Sequence, residues 1–253
     1  MKSAFHPKPL RYPQSWSELP GGDELKQAIE GVCDDLSQRV FGYNLVKLGN
    51  LSSELKLPGC AIRNQVAQTQ VATEASSLIS YSDSLPYIEN SIDGFLLANE
   101  LDFARDPHEI LREVDRTITS NGYVIISGFN PYSLTGLARF LPIKKGNILH
   151  QARFFSAGRI KDWLQLLGFE IVEHRHILFS MLFASHHKGQ PAAWQQWCSR
   201  YCPWCSSVYV LMARKRTIPM TTVKPKWKVK PRFSAVGASM RDAASRVTHS
   251  SNR

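Results

Sequence analysis

Apolar and polar positions change period several times along this chain, and each change marks an element. Ile92–Ala98 is a short, mostly apolar run, the pattern of a strand covered on both faces. Asp106-Pro107 then opens a helix, with Asp106 as N-cap and Pro107 at the first helical position, where its missing N–H costs nothing. Ile110, Leu111, Val114 and Ile118 recur at helical spacing and form one apolar stripe, while Arg112, Glu113, Asp115 and Arg116 are mostly solvated. Asn121-Gly122 stops this helix in a left-handed cap, so Gly122 is expected at positive φ, and Tyr123–Ser127 is the next strand. A strand–helix–strand unit this compact implies a right-handed crossover and parallel strands.

The remaining pattern extends the alternation and predicts an α/β fold. Leu25, Ala28, Ile29, Val32 and Leu36 are helically spaced, which places a helix over Asp23–Val40. Strands are predicted at Asn44–Leu48, Cys60–Ala67 and Leu78–Ser82, with the third and fourth strands as neighbours. Too few residues separate the second strand from the third for a full helix between them. Helices follow at Tyr132–Leu141 and Ala157–Leu167, the latter ended by Gly168, then strands at Phe169–Phe179 and Val208–Arg214. There are no internal repeats. In an open α/β sheet, ligands bind outside the carboxyl ends of the strands, beside the first strand–loop–helix turn. Here that turn is Val46-Lys47-Leu48-Gly49-Asn50-Leu51-Ser52-Ser53-Glu54.

Composition adds two constraints. With 253 residues and 43% hydrophobic content, the chain suits one large α/β domain. Five cysteines, an odd number, fit a reducing cytoplasm better than a disulfide framework. Residues 1–20 hold no apolar run of signal-peptide length, and no stretch approaches twenty apolar residues, so no membrane span is expected. Residues 214–253 hold eleven Lys or Arg against the single acid Asp242, while residues 1–213 are balanced. The whole net charge of +10 therefore belongs to the end of the chain. That end is rich in Pro, Ser, Lys and Thr, too polar to offset its ordering entropy, and is expected to be disordered.

The wording of the central segment carries more than rhythm. Leu85-Pro86-Tyr87, Ser91-Ile92-Asp93, Asp106-Pro107, and Leu111, Glu113, Arg116 and Gly122 follow one another as in the second half of a class I S-adenosylmethionine-dependent methyltransferase. The chain resembles the small-molecule branch that includes the ubiquinone and menaquinone biosynthesis enzymes. Lys47–Ser52 (KLGNLS) and Ala213–Pro219 (ARKRTIP) further resemble a YafS-like branch. The resemblance implies a Rossmann-like sheet of seven strands, mostly parallel, with helices on both faces. The last strand is then antiparallel, inserted between the fifth and sixth. It also implies S-adenosylmethionine as cofactor, a small-molecule acceptor, and Asp93 and Arg116 flanking the fourth strand and its helix. Residues 1–43 form an N-terminal helical extension in this reading, 44–216 the methyltransferase-like domain, and 217–253 the basic tail.

Against that family, the first loop departs. Where the pattern is D/E-x-G-x-G-x-G, only Gly49 remains, with Lys47 at the acidic position, Leu51 at the second glycine and Ser53 at the third. Leu51 is expected to block backbone approach and Lys47 to reverse the local charge, so Leu51→Gly and Lys47→Asp are expected to strengthen cofactor binding. The second strand, ending in Arg63-Asn64-Gln65, offers no carboxylate for ribose hydroxyls. Tyr81 stands where an Asp is expected, with Ser82 and Asp83 just beyond, and Asp83 is in reach of an adenine amine. The resemblance thus assigns Lys47, Gly49, Asn50, Leu51, Tyr81, Ser82, Asp83 and Asn99 to the cofactor. Asn99, Glu100 and Asp102, at the end of the fourth strand, are candidate catalytic residues able to orient an acceptor or take up a proton. A second reading is a non-catalytic scaffold that keeps the fold with a degenerate loop.

Other constellations carry less. Cys198-x-x-x-Cys202-x-x-Cys205 has iron–sulfur spacing but lies late, with fewer than fifty residues after it, and no metal is assigned. Asn130-Pro131-Tyr132 is read as a turn, and His174 with His176 as one face of the sixth strand. Asp23–Val40 and Pro142–Phe155 are expected to build the acceptor pocket, with Arg139, Lys144, Lys145 and Arg153 as surface charge.

The segregated charge makes a prediction about partners. Truncation at Met220 is expected to leave the thermal midpoint almost unchanged and to weaken binding to nucleic acid or another polyanion, measured at low salt. Such binding falls steeply with salt because phosphate contacts release counterions. Trp227 and Phe233, set among lysines, add stacking on single-stranded bases. Polyanion affinity that survives truncation would place the binding surface elsewhere.

Overall fold

The computed structural model describes residues 11–133, 136, 148–178 and 205–216. After a short 3-10 turn at Trp16–Glu18, helix α1 runs over Gly22–Ser37. Strand β1 (Asn44–Leu48) leads into the one-turn helix α2 (Asn50–Ser53), followed by β2 (Asn64–Thr69) and β3 (Leu78–Ile79). Strand β4 (Ile92–Ala98) is followed by α3 (Glu100–Phe103), α4 (Pro107–Thr117) and β5 (Ile118–Phe129). Helix α5 (Ala157–Leu166), β6 (Phe169–Ile177) and β7 (Val208–Lys215) complete the domain. The sheet order is β3-β2-β1-β4-β5-β7-β6. Its first five strands are parallel, and β7 lies antiparallel to both β5 and β6, as the family resemblance implies.

Alternation along the central strands builds two cores. Leu45, Leu96, Ile125, Val210 and Met212 face α1 and Trp16 on one side. Val46, Phe95, Leu97, Val124, Ile126 and Leu211 face α4 and α5 on the other. Successive side chains on a strand point to opposite faces, so runs apolar at every position are what a doubly covered sheet requires.

Several boundaries move, and pairing explains each shift. β2 starts at Asn64 rather than Cys60 because its partner β1 starts at Asn44, and the two pair from Asn44↔Asn64 to Leu48↔Gln68. β3 pairs only with Gln68 and Thr69, which limits it to two residues. Strands three and four are not neighbours: β2 and β1 lie between them, so the chain crosses the sheet before β4 and creates a switch point between β1 and β4. Most of the predicted helix over Tyr132–Leu141 (134, 135 and 137–141) and the predicted strand end at Phe179 lie outside the described residues, as do Cys198, Cys202 and the 217–253 tail.

Gly122 does not adopt positive φ. The left-handed residue is Asn121 (φ 69°), already inside β5, because the helix ends four residues earlier at Thr117. Ile118 pairs with Ile92 and Tyr123 with Gly94, so the residues between bulge out opposite Asp93. A Cβ on Gly122 would lie 2.6 Å from Ile118 Cγ1 and 3.0 Å from the Asp93 and Thr119 carbonyl oxygens. Close packing, not torsion, is what requires glycine there.

The family-like residues of this segment act structurally. Asp93 Oδ2 accepts the backbone N–H groups of Tyr43 (2.7 Å) and Asn44 (3.1 Å), fastening the start of β1 to β4. Arg116 donates to the carbonyls of Leu85 (3.0 Å) and Tyr87 (3.1 Å) and pairs with Glu113, which itself accepts from Leu85 N–H. Together these pin the 85–87 segment onto α4. Hydrogen bonds to a charged group contribute about 1.5–3 kcal/mol each, so Asp93→Ala is expected to cost roughly 2–4 kcal/mol in a denaturant titration. A loss below about 0.5 kcal/mol, the range of an ordinary surface substitution, would remove Asp93 from this role.

Candidate functional site

The carboxyl ends of β1 to β4 deliver four loops to one place. β1 ends in Gly49, whose φ of 94° turns the chain sharply into α2. β2 ends at Thr69 and hands over Gln70. The loop after β3 brings Tyr81, Ser82 and Asp83, and β4 passes through Asn99 (φ 53°) into α3. A cavity of about 250 Å³ opens beside the loops that follow β2, β3 and α3, walled by Gln70, Ser82 and Asp83 on its polar side and by Tyr12, Tyr81 and Phe103 among its apolar lining; Gly49, Asn99 and Glu100 lie behind this wall. Arg105 and Asp106 edge it as well.

Of the residues that sequence reasoning assigned to a cofactor, three line this cavity: Tyr81, Ser82 and Asp83. Two others point away from it. Lys47 is buried and its Nζ donates to the Leu55 carbonyl (2.8 Å), with burial lowering its pKa. Leu51 packs in the core on the α1 face, and its carbonyl accepts from Trp16 Nε1 at 2.9 Å. A glycine at 51 would therefore open the core rather than a path for ligand, and an aspartate at 47 would face a carbonyl. Asn50 is used internally: its N–H donates to Tyr12 Oη (3.3 Å), its Nδ2 to Pro13 O (3.4 Å), and its Oδ1 accepts from Gln70 N–H (3.3 Å).

Gly49 keeps the close approach that its loop offers, but the approaching groups are the chain's own. A Cβ at this position would overlap the Glu100 carboxyl and the Tyr12 hydroxyl. Tyr12 and Gln70 were missed from sequence. Gln70 follows from the corrected end of β2, whereas nothing in the polar stretch around Tyr12 announces its position.

The three catalytic candidates separate sharply. Asn99 and Asp102 are consumed in tying β4 to β5. Asn99 Nδ2 donates to Asp102 Oδ2 (3.0 Å), Ser127 Oγ donates to Asn99 Oδ1 (2.9 Å), and Phe129 N–H donates to Asp102 Oδ2 (3.0 Å). Burial raises the Asp102 pKa, opposed by these bonds and by one from the Phe155 amide. Glu100, 1% exposed, accepts from Ser82 Oγ on Oε1 (2.5 Å), while its buried Oε2 has no partner. Gln70 Nε2 in turn donates to Ser82 Oγ (3.4 Å), so a short relay joins the cavity wall to the acid.

Elsewhere, Asn130 makes the expected turn, its Oδ1 accepting from Tyr132 N–H at 3.1 Å. The rings of His174 and His176 lie 4.2 Å apart on β6, tilted by 58°, and burial first, then His176 and Lys161, push His174 down to about 4. Arg153 donates its N–H to the Asp102 carbonyl (2.7 Å); Arg139, Lys144 and Lys145 lie outside the described residues. Among the described residues no helix is long and apolar enough to cross a membrane.

No protein-family model matches the chain. It is 35% identical over 243 residues to the uncharacterized protein YafS of Escherichia coli (strain K12), spanning 94% of this chain and 97% of YafS. A SAM-dependent methyltransferase from Archaeoglobus fulgidus superposes with a TM-score of 0.53 at 15% identity, covering 76% of this chain and 94% of that one. The [4+2]-cyclase SpnF superposes with a TM-score of 0.52 at 17% identity, covering 78% and 82%. These likenesses establish the methyltransferase fold, on which more than one chemistry is carried, so activity has to be argued from the site.

The unpartnered acid makes a pH prediction. Burial pushes Glu100 well above the ordinary glutamate value of 4.5, so the folded chain keeps a proton that the unfolded chain releases as pH climbs past that value. Stability is then full below 4.5 and falls as pH rises toward the folded-state pKa. Thermal midpoints measured across this window are expected to decline less in Glu100→Gln than in the parent. Equal slopes would mean that the carboxyl is already ionised in the folded protein.

Proposed function

The chain belongs to the YafS family, and for it we propose S-adenosylmethionine-dependent methyl transfer to a small-molecule acceptor. The observation that carries this reading is the cavity at the carboxyl end of the sheet, lined by Gln70, Tyr81, Ser82 and Asp83 beyond β2 and β3 and by Phe103 and Asp106 beyond β4, next to the switch point between β1 and β4. Ligands of open α/β sheets bind there.

The residues present fit such a cofactor in type. The Gln70 amide suits ribose hydroxyls, Asp83 suits an exocyclic amine, and Tyr81 and Phe103 offer flat apolar surface to a base. For the ligand to reach Gly49, the Tyr12 hydroxyl has to give way; one 3.3 Å bond from Asn50 N–H is what it forfeits. Bound S-adenosylmethionine supplies an activated methyl group on a sulfonium. The chain's part is alignment and exclusion of water, which supply much of the rate in a displacement of this kind. Free thiols at Cys33 and Cys60 accord with a cytoplasmic setting, and the basic 214–253 segment with contact to nucleic acid or another polyanion.

The filled space over Gly49 favours the second reading, a non-catalytic scaffold, and one experiment separates the two. At about a hundred times the dissociation constant, a ligand adds roughly 2.7 kcal/mol of stability. For a chain of this size each kcal/mol moves the midpoint by about 2–4 °C, so S-adenosylmethionine is expected to raise it by about 5–10 °C. A folded protein that shows no shift with millimolar S-adenosylmethionine or S-adenosylhomocysteine would overturn the methyltransferase reading in favour of the scaffold.

A further inference from the structure

Glu100 places a carboxyl oxygen at the mouth of the first loop with nothing to complete it. Its Oε2 is buried, has no hydrogen-bond partner, and crowds the Cα of Gly49. Polar groups in protein interiors are nearly always paired, and an unpaired buried acid is costly. The neighbouring side chains are engaged elsewhere: the Tyr12 hydroxyl, which lies over the same glycine, accepts from Asn50 N–H at 3.3 Å. Asn50 bonds Pro13 and Gln70, Ser52 Oγ accepts from Ala98 N–H (2.7 Å), and Ser53 Oγ donates to Asn50 O (2.6 Å). Lys47, the cation on β1, is turned to the Leu55 carbonyl. Asn99 and Asp102, on either side of Glu100 in the chain, complete one another. The Glu100 side chain is thus an acceptor with unused capacity, held in place through Oε1 by Ser82, whose own surface lines the cavity.

Resting on the reading of this cavity as the S-adenosylmethionine site, we propose that Glu100 is the residue that recognises the positive charge of the ligand, over Gly49. A sulfonium or an ammonium group placed there gives Oε2 the partner it lacks. Burial with no partner for Oε2 favours the neutral form of this acid. A cation favours the ionised form, so charge is what the position discriminates. The acid that the first strand lacks at Lys47 is in this way supplied from the fourth strand, to the opposite side of the same glycine.

Calorimetric titration of the full chain with three ligands tests this: S-adenosylmethionine, S-adenosylhomocysteine, which lacks the sulfonium, and 5′-methylthioadenosine, which carries neither the sulfonium nor the amino-acid ammonium. Glu100→Gln keeps the size of the side chain and an oxygen for Ser82. It is expected to weaken S-adenosylmethionine at least tenfold and to leave 5′-methylthioadenosine within about twofold. That neutral ligand reports an intact cavity. If S-adenosylhomocysteine weakens equally, the amine is the group recognised; if it does not, the sulfonium is. Glu100→Met, of similar length and without the unpartnered oxygen, is the second variant should glutamine pack badly, and the same ratio is read. Variants that bind all three ligands in the parent's ratios would overturn the proposal while leaving the site reading intact. A folded parent that binds none of the three would instead overturn the site reading itself.

Discussion

The parallel pairing of β1 with β4 is the constraint on which the rest of this molecule depends. It joins strands 44–48 and 92–98, far apart in the chain, and sets the Gly49 loop beside the Asn99–Asp102 turn. The pair is fastened at both ends. Asp93 holds the amides of Tyr43 and Asn44 at one end, and Ser52 Oγ accepts the Ala98 amide at the other. Sheet building proceeds outward in both directions from this pair, so its carboxyl end is where the surrounding loops part and leave a cavity.

Burial around that cavity is unusually polar. Asn50, Ser52, Gln68, Ser82, Asn99, Glu100 and Asp102 are all buried. Most of them knit loop to loop: Asn50 holds the N-terminal segment and Gln70, and Asn99 with Asp102 ties β4 to β5. Fully satisfied networks of this kind make a site rigid. Gln68 and Glu100 are the contrast, because Gln68 Oε1 and Glu100 Oε2 are buried without a partner while the other polar atom of each side chain is bonded. A rigid frame thus surrounds one unsatisfied acid, the observation from which charge recognition is proposed.

The N-terminal segment changes how the glycine loop is understood. Trp16 and Pro13 clamp α2 from outside, and Tyr12 reaches over Gly49. Leu51 then has an ordinary explanation as a core residue of that clamp, rather than as an obstruction in a binding loop. A loop that departs from a glycine-rich pattern is therefore not evidence of decay by itself. Its side chains were placed by packing against residues 12–19, which no local pattern in the loop discloses.

The α/β alternation, the apolar stripe of α4, the Asp106 cap and the doubly covered strands were legible in the sequence, because each depends on neighbours within a few positions. The antiparallel β7 between β5 and β6 came from the family wording around Leu85–Gly122, whereas β3 was expected beside β4 and lies at the far edge, beyond β2 and β1. Tertiary structure alone decided the rest. The start of β2 depends on where β1 begins, and so Gln70, not Arg63–Gln65, stands at the cavity. The requirement for glycine at 122 depends on Ile118 and Asp93 across a bulge, not on a helix cap. The fates of Lys47, Leu51 and Glu100 depend on which partners reach them: a carbonyl, a core, and one serine hydroxyl that leaves the second carboxyl oxygen unpaired. Local periodicity determines which elements form, but whether a buried polar atom is satisfied is a property of contacts between distant segments, which only the tertiary structure brings together.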